Sequence, residues 1–297
     1  MSKGIEKIEG VVTPAVTPLA KGKVDDRAVA GLLSFLKKSG VSGVFPAGST
    51  GAFPFLSVDK HIAVIKAFYE HMPGKMLFLP GSGRNSISET VEVSRVALKL
   101  DADAVVVVTP YYIRLDQKAL ADYFSKVAAA VKGPMVLYNI PQLTGNSIGA
   151  HAVKALVSKH RNIMGIKDSS SDFESFSKIV DAVSDRISVL QGEDNLLLPS
   201  LMLGASGGVC GTTNFSDAAV KVYKAFKSKK GRTSEKLQET LSKIMSSASA
   251  LPFPSNYNYL FYRAVMGKRE TNAPEPLPKI SPAEGDRVFR EIGRLGG

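Results

Sequence analysis

Eight short apolar runs, rich in β-branched residues, recur between residues 10 and 230, and an amphipathic stretch separates each from the next. The runs cover residues 10–16, 43–47, 76–80, 104–109, 135–139, 163–167, 187–191 and 207–210. The segments between them, among them 26–39, 58–71, 86–100, 117–131 and 150–160, carry apolar residues at spacings of three and four, the period of a half-buried helix. Asp25 or Asp26, Ser57 and Ser216 stand where helix N-caps are expected. Strict alternation of strand and helix implies parallel strands joined by crossover helices. Eight such units in about 220 residues predict a closed (β/α)8 barrel over residues 10–230 rather than an open doubly wound sheet. Helical patterns near 234–249 and 255–267 follow, so residues 231–297 are expected to form a helical cap. No low-complexity linker intervenes, and one domain over 1–297 is expected.

Composition narrows the function classes. Hydrophobic residues make up 44% of the chain, enough for a sizeable core. No apolar run approaches the roughly 18 residues of a membrane span. Residues 1–10 mix both charge signs and hold no apolar signal core, so a cytoplasmic protein is expected. The single cysteine, Cys210, rules out an internal disulfide and fits a reducing compartment. The net charge of +11 raises the question of nucleic acid. A nucleic-acid face needs clustered Lys and Arg, ideally with interleaved aromatics. Here the basic residues are spread along helical stretches, and the densest run, 227–232, sits at a helix end. A solvated face accounts for them, and the charge can draw anionic substrates inward.

In such a barrel the active site lies at the C-terminal ends of the strands. Those ends read Gly48-Ser49-Thr50-Gly51, Thr109-Pro110-Tyr111-Tyr112, Tyr138-Asn139-Ile140-Pro141, Lys167-Asp168-Ser169-Ser170, Gln191-Gly192-Glu193-Asp194 and Gly211-Thr212-Thr213-Asn214. Hydroxyls, one amine and a few carboxylates therefore converge on one face. Lys167 follows the apolar run Ile163-Met164-Gly165-Ile166, which places its side chain at a rim partly shielded from water. Shielding disfavours an ammonium and favours the free amine of a nucleophile. The plainer alternative is a rim lysine paired with Asp168 or Asp194. Tyr138, at the neighbouring strand end, favours the nucleophile, because a phenol beside an amine supplies the proton donor and acceptor of imine chemistry. Taken alone, Tyr138 would be a core tyrosine with a satisfied hydroxyl.

The Gly48–Gly51 turn offers amides and two hydroxyls that could hold a carboxylate or phosphate, although such a tetrapeptide is usually just a tight turn. Glycines 204, 207, 208 and 211 crowd the last strand, where many barrels bind phosphate. Glu193 and Asp194 would repel a phosphate there and suit sugar hydroxyls better. Arg114 could meet a phosphate or be a surface cation. His61, His71, His151 and His160 all fall on the outer helical segments. Surface solubility accounts for them, and no metal-ligand set emerges. Rossmann and P-loop patterns are absent.

Gly48-Ser49-Thr50-Gly51, Thr109-Pro110-Tyr111-Tyr112, Tyr138-Asn139-Ile140-Pro141 and Gly165-Ile166-Lys167-Asp168, in this order and spacing, resemble the pyruvate-dependent class I lyases. That family includes dihydrodipicolinate synthase, N-acetylneuraminate lyase and 2-keto-3-deoxygluconate aldolase. The resemblance covers nearly the whole chain and implies a (β/α)8 barrel, a homotetramer, and no cofactor or metal. By matching position it implies that Lys167 forms an imine with pyruvate and that Tyr138 shuttles the proton at the carbon–carbon bond. It implies that Ser49 links Tyr138 to Tyr112, with Tyr112 reaching into a neighbouring subunit's site. Thr50 and Gly51, with nearby amides, would hold the pyruvate carboxylate, and the Val209 carbonyl would face the reacting centre. Gly192, Asp194 and Leu143 complete the expected substrate contacts.

Two departures bear on the member. Leu143 stands where dihydrodipicolinate synthases usually carry an arginine for a second carboxylate, and Ala52 replaces the usual glutamate after the GxTG turn. The strand-seven loop also differs from that of neuraminate lyases. The combination is most similar to archaeal 2-keto-3-deoxygluconate aldolases of the Thermoplasma type. It implies cleavage to pyruvate and glyceraldehyde in an Entner–Doudoroff-type pathway. Neuraminate lyase, dihydrodipicolinate synthase and a non-catalytic barrel binding a metabolite or nucleic acid are the alternatives.

Overall fold

Prolines set the lengths of the central strands in the computed structural model, which describes residues 7–296. The strands are β1 (Gly10–Pro14), β2 (Gly43–Phe45), β3 (Leu77–Phe78), β4 (Val105–Val108), β5 (Met135–Asn139), β6 (Ile163–Asp168), β7 (Ser188–Gln191) and β8 (Gly207–Val209). Most are shorter than the apolar runs that announced them. Pro46, Pro80 and Pro110 follow β2, β3 and β4 directly or nearly so, and a proline has no N–H to extend a ladder.

Every strand pairs in parallel with its neighbours in sequence, and β8 returns to β1 in the register Gly10 to Gly207. The last seam, between β3 and β4, is closed by a parallel bridge between Gly81 and Val106. There the Val106 N–H donates to the Pro80 carbonyl, and the Ser82 N–H donates to that of Val106, both at 2.9 Å. The ring is complete, and the expected (β/α)8 barrel is the observed one. A small hairpin, Leu19–Ala20 with Lys23–Val24, follows β1.

Alternation along the strands divides the core in two. Val106, Val108, Tyr138, Leu190 and Val209 fill the barrel with Phe45 and Ile8. Val105, Val107, Leu137, Ile166 and Val189 face the helices. A slip of one residue would exchange the two sets. The register Tyr138 to Lys167 between β5 and β6 therefore sends both side chains inward together.

The surrounding helices are α1 (Asp26–Ser39), α2 (Val58–Glu70), α3 (Ile87–Lys99), α4 (Gln117–Val131), α5 (Ala150–Lys159), α6 (Phe173–Val183), α7 (Leu197–Leu203) and α8 (Ala218–Lys227). Three more follow: α9 (Gly231–Ala248), α10 (Ser255–Val265) and α11 (Pro282–Arg294). Asp25, not Asp26, caps α1 by accepting the Ala28 N–H at 3.0 Å, and Ser57 caps α2 by accepting that of Lys60 at 3.3 Å. Ser216 is not the cap of α8. Asp217 holds that position, and the Ser216 hydroxyl accepts the Ala218 N–H at 3.2 Å from one residue upstream. The α11 helix docks through Asp286, which takes hydrogen bonds from Arg263 at 3.0 Å and from the Tyr259 hydroxyl at 3.1 Å and pairs ionically with Arg269 at 3.0 Å.

His61 corrects the expectation of a surface histidine. It lies on the buried stripe of α2 with Val64, Ile65 and Phe68 and is fully enclosed. Its Nε2 donates to the Gly81 carbonyl at 2.9 Å. Burial, opposed by that bond, lowers its pKa from 6.5 to about 4. Among the described residues no helix is long and apolar enough to cross a membrane.

Candidate active site

The ends of β5 and β6 bring the amine and the phenol together. Lys167 is 5% exposed. Its Nζ sits 3.7 Å from the centroid of the Tyr138 ring and 5.6 Å from that of Phe45. The Tyr138 ring is held edge-on to Phe45, with centroids 5.9 Å apart and planes at 84°, a favoured aromatic geometry. Neither acid suspected of pairing with Lys167 does so. Asp168 accepts from Asn139 Nδ2 at 2.7 Å and from the Ser170 amide and hydroxyl at 3.0 and 2.6 Å. Asp194 is 2% exposed and accepts the Gly211 and Thr212 N–H groups at 2.9 and 3.0 Å, together with the Thr212 hydroxyl. The amine of Lys167 is left facing two aromatic rings, in none of the ion pairs found among the described residues.

Ser49 lies within hydrogen-bonding reach of Tyr138, its Oγ 3.4 Å from the phenol oxygen. The turn that carries Ser49 and Thr50 is bracketed by two left-handed alanines, Ala47 (φ +54°) and Ala52 (φ +56°). Gly51 shapes that turn from behind. A Cβ on it would meet the Thr17 Oγ1 at 2.9 Å and the Ala15 carbonyl at 3.0 Å, and its own carbonyl accepts the Thr17 hydroxyl at 2.7 Å. Thr50 lines the cavity, and Gly51 does not.

The cavity above the barrel has a volume of about 550 Å³. One wall is made by the strand ends, with Ser49, Thr50, Tyr138, Lys167 and Val209. Leu143, on the single helical turn Pro141–Thr144, lies half-exposed at its rim. Gly192 lines the cavity where a methyl group would run into the Ser169 hydroxyl. That hydroxyl is buried with no hydrogen-bond partner among the described residues, while the Ser169 carbonyl accepts from Gln142 Nε2 at 2.6 Å.

Glu193 and Asp194 play different parts. Both oxygens of Asp194 are consumed in holding the chain after β8, so it braces the site's frame. Glu193 makes no such bonds to the backbone after β8. Its carboxyl is raised from 4.5 to about 7, first by burial and next by the Asp194 charge, with Lys167 opposing. A carboxyl poised near neutrality in a cleft marks a functional candidate.

The opposite wall comes from the end of α9 and the start of α10: Met245, Ser249, Leu251, Phe253 and Tyr257. The sequence reading missed these residues, along with the parts played by Ser169 and Gln142. Ser169 stands inside one of the quoted strand ends and Gln142 directly follows another, so both were within its reach. The wall from α9 and α10 reaches the site only through long-range packing and leaves no local signal.

Tyr112 is not brought to this chain's own site. It is 90% exposed, beside Ile113 at 63%, and holds a φ of +81°. A left-handed bulky residue costs of order 1–3 kcal/mol and persists where its surroundings hold it. Arg114 is exposed and does not line the cavity. The glycines of the last strand serve packing. Gly207 lets β8 abut the Gly10 backbone, and Gly211 lies against the Tyr257 ring.

Residues 7–292 match the model of the dihydrodipicolinate synthetase family. A 2-dehydro-3-deoxy-D-gluconate/2-dehydro-3-deoxy-phosphogluconate aldolase of Picrophilus torridus is 36% identical over 249 residues, which is 84% of this chain and 92% of the relative. A 4-hydroxy-tetrahydrodipicolinate synthase of Methanococcus maripaludis is 36% identical over 209 residues, 70% of this chain and 72% of the relative. Among solved structures, YagE of E. coli K12, a prophage protein of the dihydrodipicolinic acid synthase family crystallised with pyruvate, superposes with a TM-score of 0.91. It shares 28% identity, with 97% of this chain and 98% of that one covered.

Proposed function

The chain belongs to the dihydrodipicolinate synthetase family, whose members are carbon–carbon lyases, and on that premise we propose that it cleaves 2-keto-3-deoxygluconate to pyruvate and glyceraldehyde. Enzymes of this family work through an imine between a lysine and pyruvate and need no cofactor. The observation that carries the reading is the Lys167 amine, in none of the ion pairs among the described residues and 3.7 Å from the Tyr138 ring centroid, opening on a cavity lined by hydroxyls and the carboxyls of Glu193 and Asp194.

In the proposed mechanism, Lys167 Nζ attacks the C2 ketone, the Tyr138 phenol gives its proton to the departing water, and a protonated imine and the Tyr138 phenolate remain. Tyr138 accepts the proton of the C4 hydroxyl as the C3–C4 bond breaks, and the aldehyde departs. The electron pair of that bond passes into the imine, which becomes an enamine. Tyr138 returns the proton to C3, and water then releases pyruvate from Lys167. Thr50 and the amides of its turn hold the pyruvate carboxylate, and the Val209 carbonyl faces the reacting carbon. Ser49 passes protons between Tyr138 and the Tyr112 of a neighbouring copy, in a homotetramer. Glu193 and the unpartnered Ser169 hydroxyl meet the hydroxyls of the aldehyde half. The reaction belongs to an Entner–Doudoroff-type breakdown of sugar acids in the cytoplasm.

The relative from Methanococcus maripaludis favours a second reading, condensation of the same enamine with a different aldehyde. Leu143 weighs against it, because a leucine offers nothing to a second carboxylate. Borohydride added with pyruvate should fix a three-carbon adduct on Lys167, and Lys167→Ala should lose both the adduct and the cleavage of 2-keto-3-deoxygluconate. Wild-type protein that forms no adduct refutes the imine. Faster turnover of a neuraminate or of aspartate semialdehyde with pyruvate moves the assignment to another member.

A further inference from the structure

Tyr112 stands at the tip of the loop that joins β4 to α4, on a left-handed backbone that nothing in its own side chain secures. The side chain that secures it is Asn146, which is 2% exposed. Asn146 Nδ2 donates to the carbonyls of Pro110 and Ile113, both at 2.8 Å, and its Oδ1 accepts the Leu115 N–H at 2.7 Å. One amide group thus grips the loop on both sides of Tyr112, with all three of these bonds spent on backbone. Two further bonds finish the clamp. The Tyr112 N–H reaches the Thr144 carbonyl at 3.3 Å, and Asn85 Oδ1 accepts the Tyr111 N–H at 2.7 Å.

The clamp is also tied to the strand ends that carry the amine and the phenol. Asn139 Oδ1 accepts the Ile148 N–H at 3.1 Å, two residues beyond Asn146. Asn139 Nδ2 donates to Asp168 at 2.7 Å, and these two residues directly follow Tyr138 and Lys167 in the paired strands. A continuous set of hydrogen bonds therefore runs from the end of the lysine strand, through Asn139 and the 144–148 segment, to the exposed loop.

We propose that Asn146 is a positioning residue of the lyase reaction, which fixes the angle at which the Tyr112 hydroxyl enters the site of a second copy of this chain. The proposal rests on the role assigned to Tyr112 above. Asn146 touches no substrate and acts only through the loop. A purely structural asparagine would lower stability and leave turnover of the folded enzyme alone, whereas a positioning one lowers kcat at unchanged KM.

The test is a double-mutant cycle on 2-keto-3-deoxygluconate with Asn146→Asp, Tyr112→Phe and the pair. Asn146→Asp keeps the size of the side chain and the acceptor for Leu115, and it removes both donors. The expected result is a fall in kcat of about ten- to a hundredfold, the cost of misplacing a reacting group by up to an ångström. KM should be unchanged, and the borohydride adduct on Lys167 should still form. In the Tyr112→Phe background the Asn146 change should cost nothing more, because the group it positions is already gone. Asn85→Ala, at an exposed position, should show the same pattern more weakly and serves if Asn146→Asp does not fold. Wild-type kcat in both folded variants, or losses that multiply in the pair, overturns the proposal. Wild-type protein that forms no pyruvate adduct instead sinks the reaction itself, so the two failures are distinguishable.

Discussion

Replacing Tyr138 with phenylalanine separates a catalytic phenol from a packing one, because the structure makes the two losses very unequal. The ring is 2% exposed and keeps its edge-on contact with Phe45 in the variant. Only the hydroxyl goes, and its hydrogen bond to Ser49 is long, at 3.4 Å. A bond of that kind contributes at most about 0.5–1 kcal/mol. In a chain of this size that is a fall in Tm of roughly 1–4 °C. Proton transfer by a positioned side chain is worth about 10²–10⁴ in rate, or roughly 3–5 kcal/mol of barrier. Tyr138→Phe should therefore melt nearly like the parent and release pyruvate, followed through lactate dehydrogenase, at least a hundredfold more slowly. Lys167 should still be labelled by pyruvate and borohydride. A variant that turns over at the parental rate, or one whose stability drops steeply while its folded fraction works normally, would refute the role given to the phenol.

Glu193, raised to about 7, is mainly protonated at pH 6 and mainly ionised at pH 8. The preference for an unphosphorylated over a phosphorylated sugar acid should therefore sharpen across that interval, and Glu193→Gln should remove this part of the pH dependence; identical profiles in the two proteins would count against it. His61 stays neutral in the fold down to about 4, while the unfolded chain protonates it from 6.5 downward. Stability is thus complete above pH 6.5 and is lost as pH falls toward 4. The loss totals about 3 kcal/mol, from about 2.5 pH units at 1.36 kcal/mol each. Urea unfolding at pH 7 and pH 5 should show about 2 kcal/mol of it, from the roughly 1.5 pH units between 6.5 and 5, and His61→Gln should flatten it; equal slopes in parent and variant contradict the assignment.

The juxtaposition of Lys167 and Tyr138 was legible because its signal is local. Lys167 and Tyr138 each end an apolar β-branched run, and in a parallel barrel the end of a run is the rim. Strand lengths were read too long for an equally local reason, since the apolar runs at 76–80 and 104–109 include the residues that turn away from the ladder. His61 was legible and misread. Its spacing to Val64, Ile65 and Phe68 is that of a buried helix face, and only the habit of placing histidine outside hid it. The frame role of Asp194 could not be read, because its partners Gly211 and Thr212 lie on another strand's exit. The wall formed by α9 and α10 shares this non-local origin.

That wall has an evolutionary consequence. The amine and phenol are supplied by the barrel, whereas the surface they look across to is supplied by helices that begin at Gly231. Mutations in the segment between α9 and α10, around Phe253, can reshape what faces the Lys167 amine without disturbing how the barrel holds it. A scaffold divided in this way can acquire new ligands by drift in its periphery while the strand ends of the barrel stay unchanged.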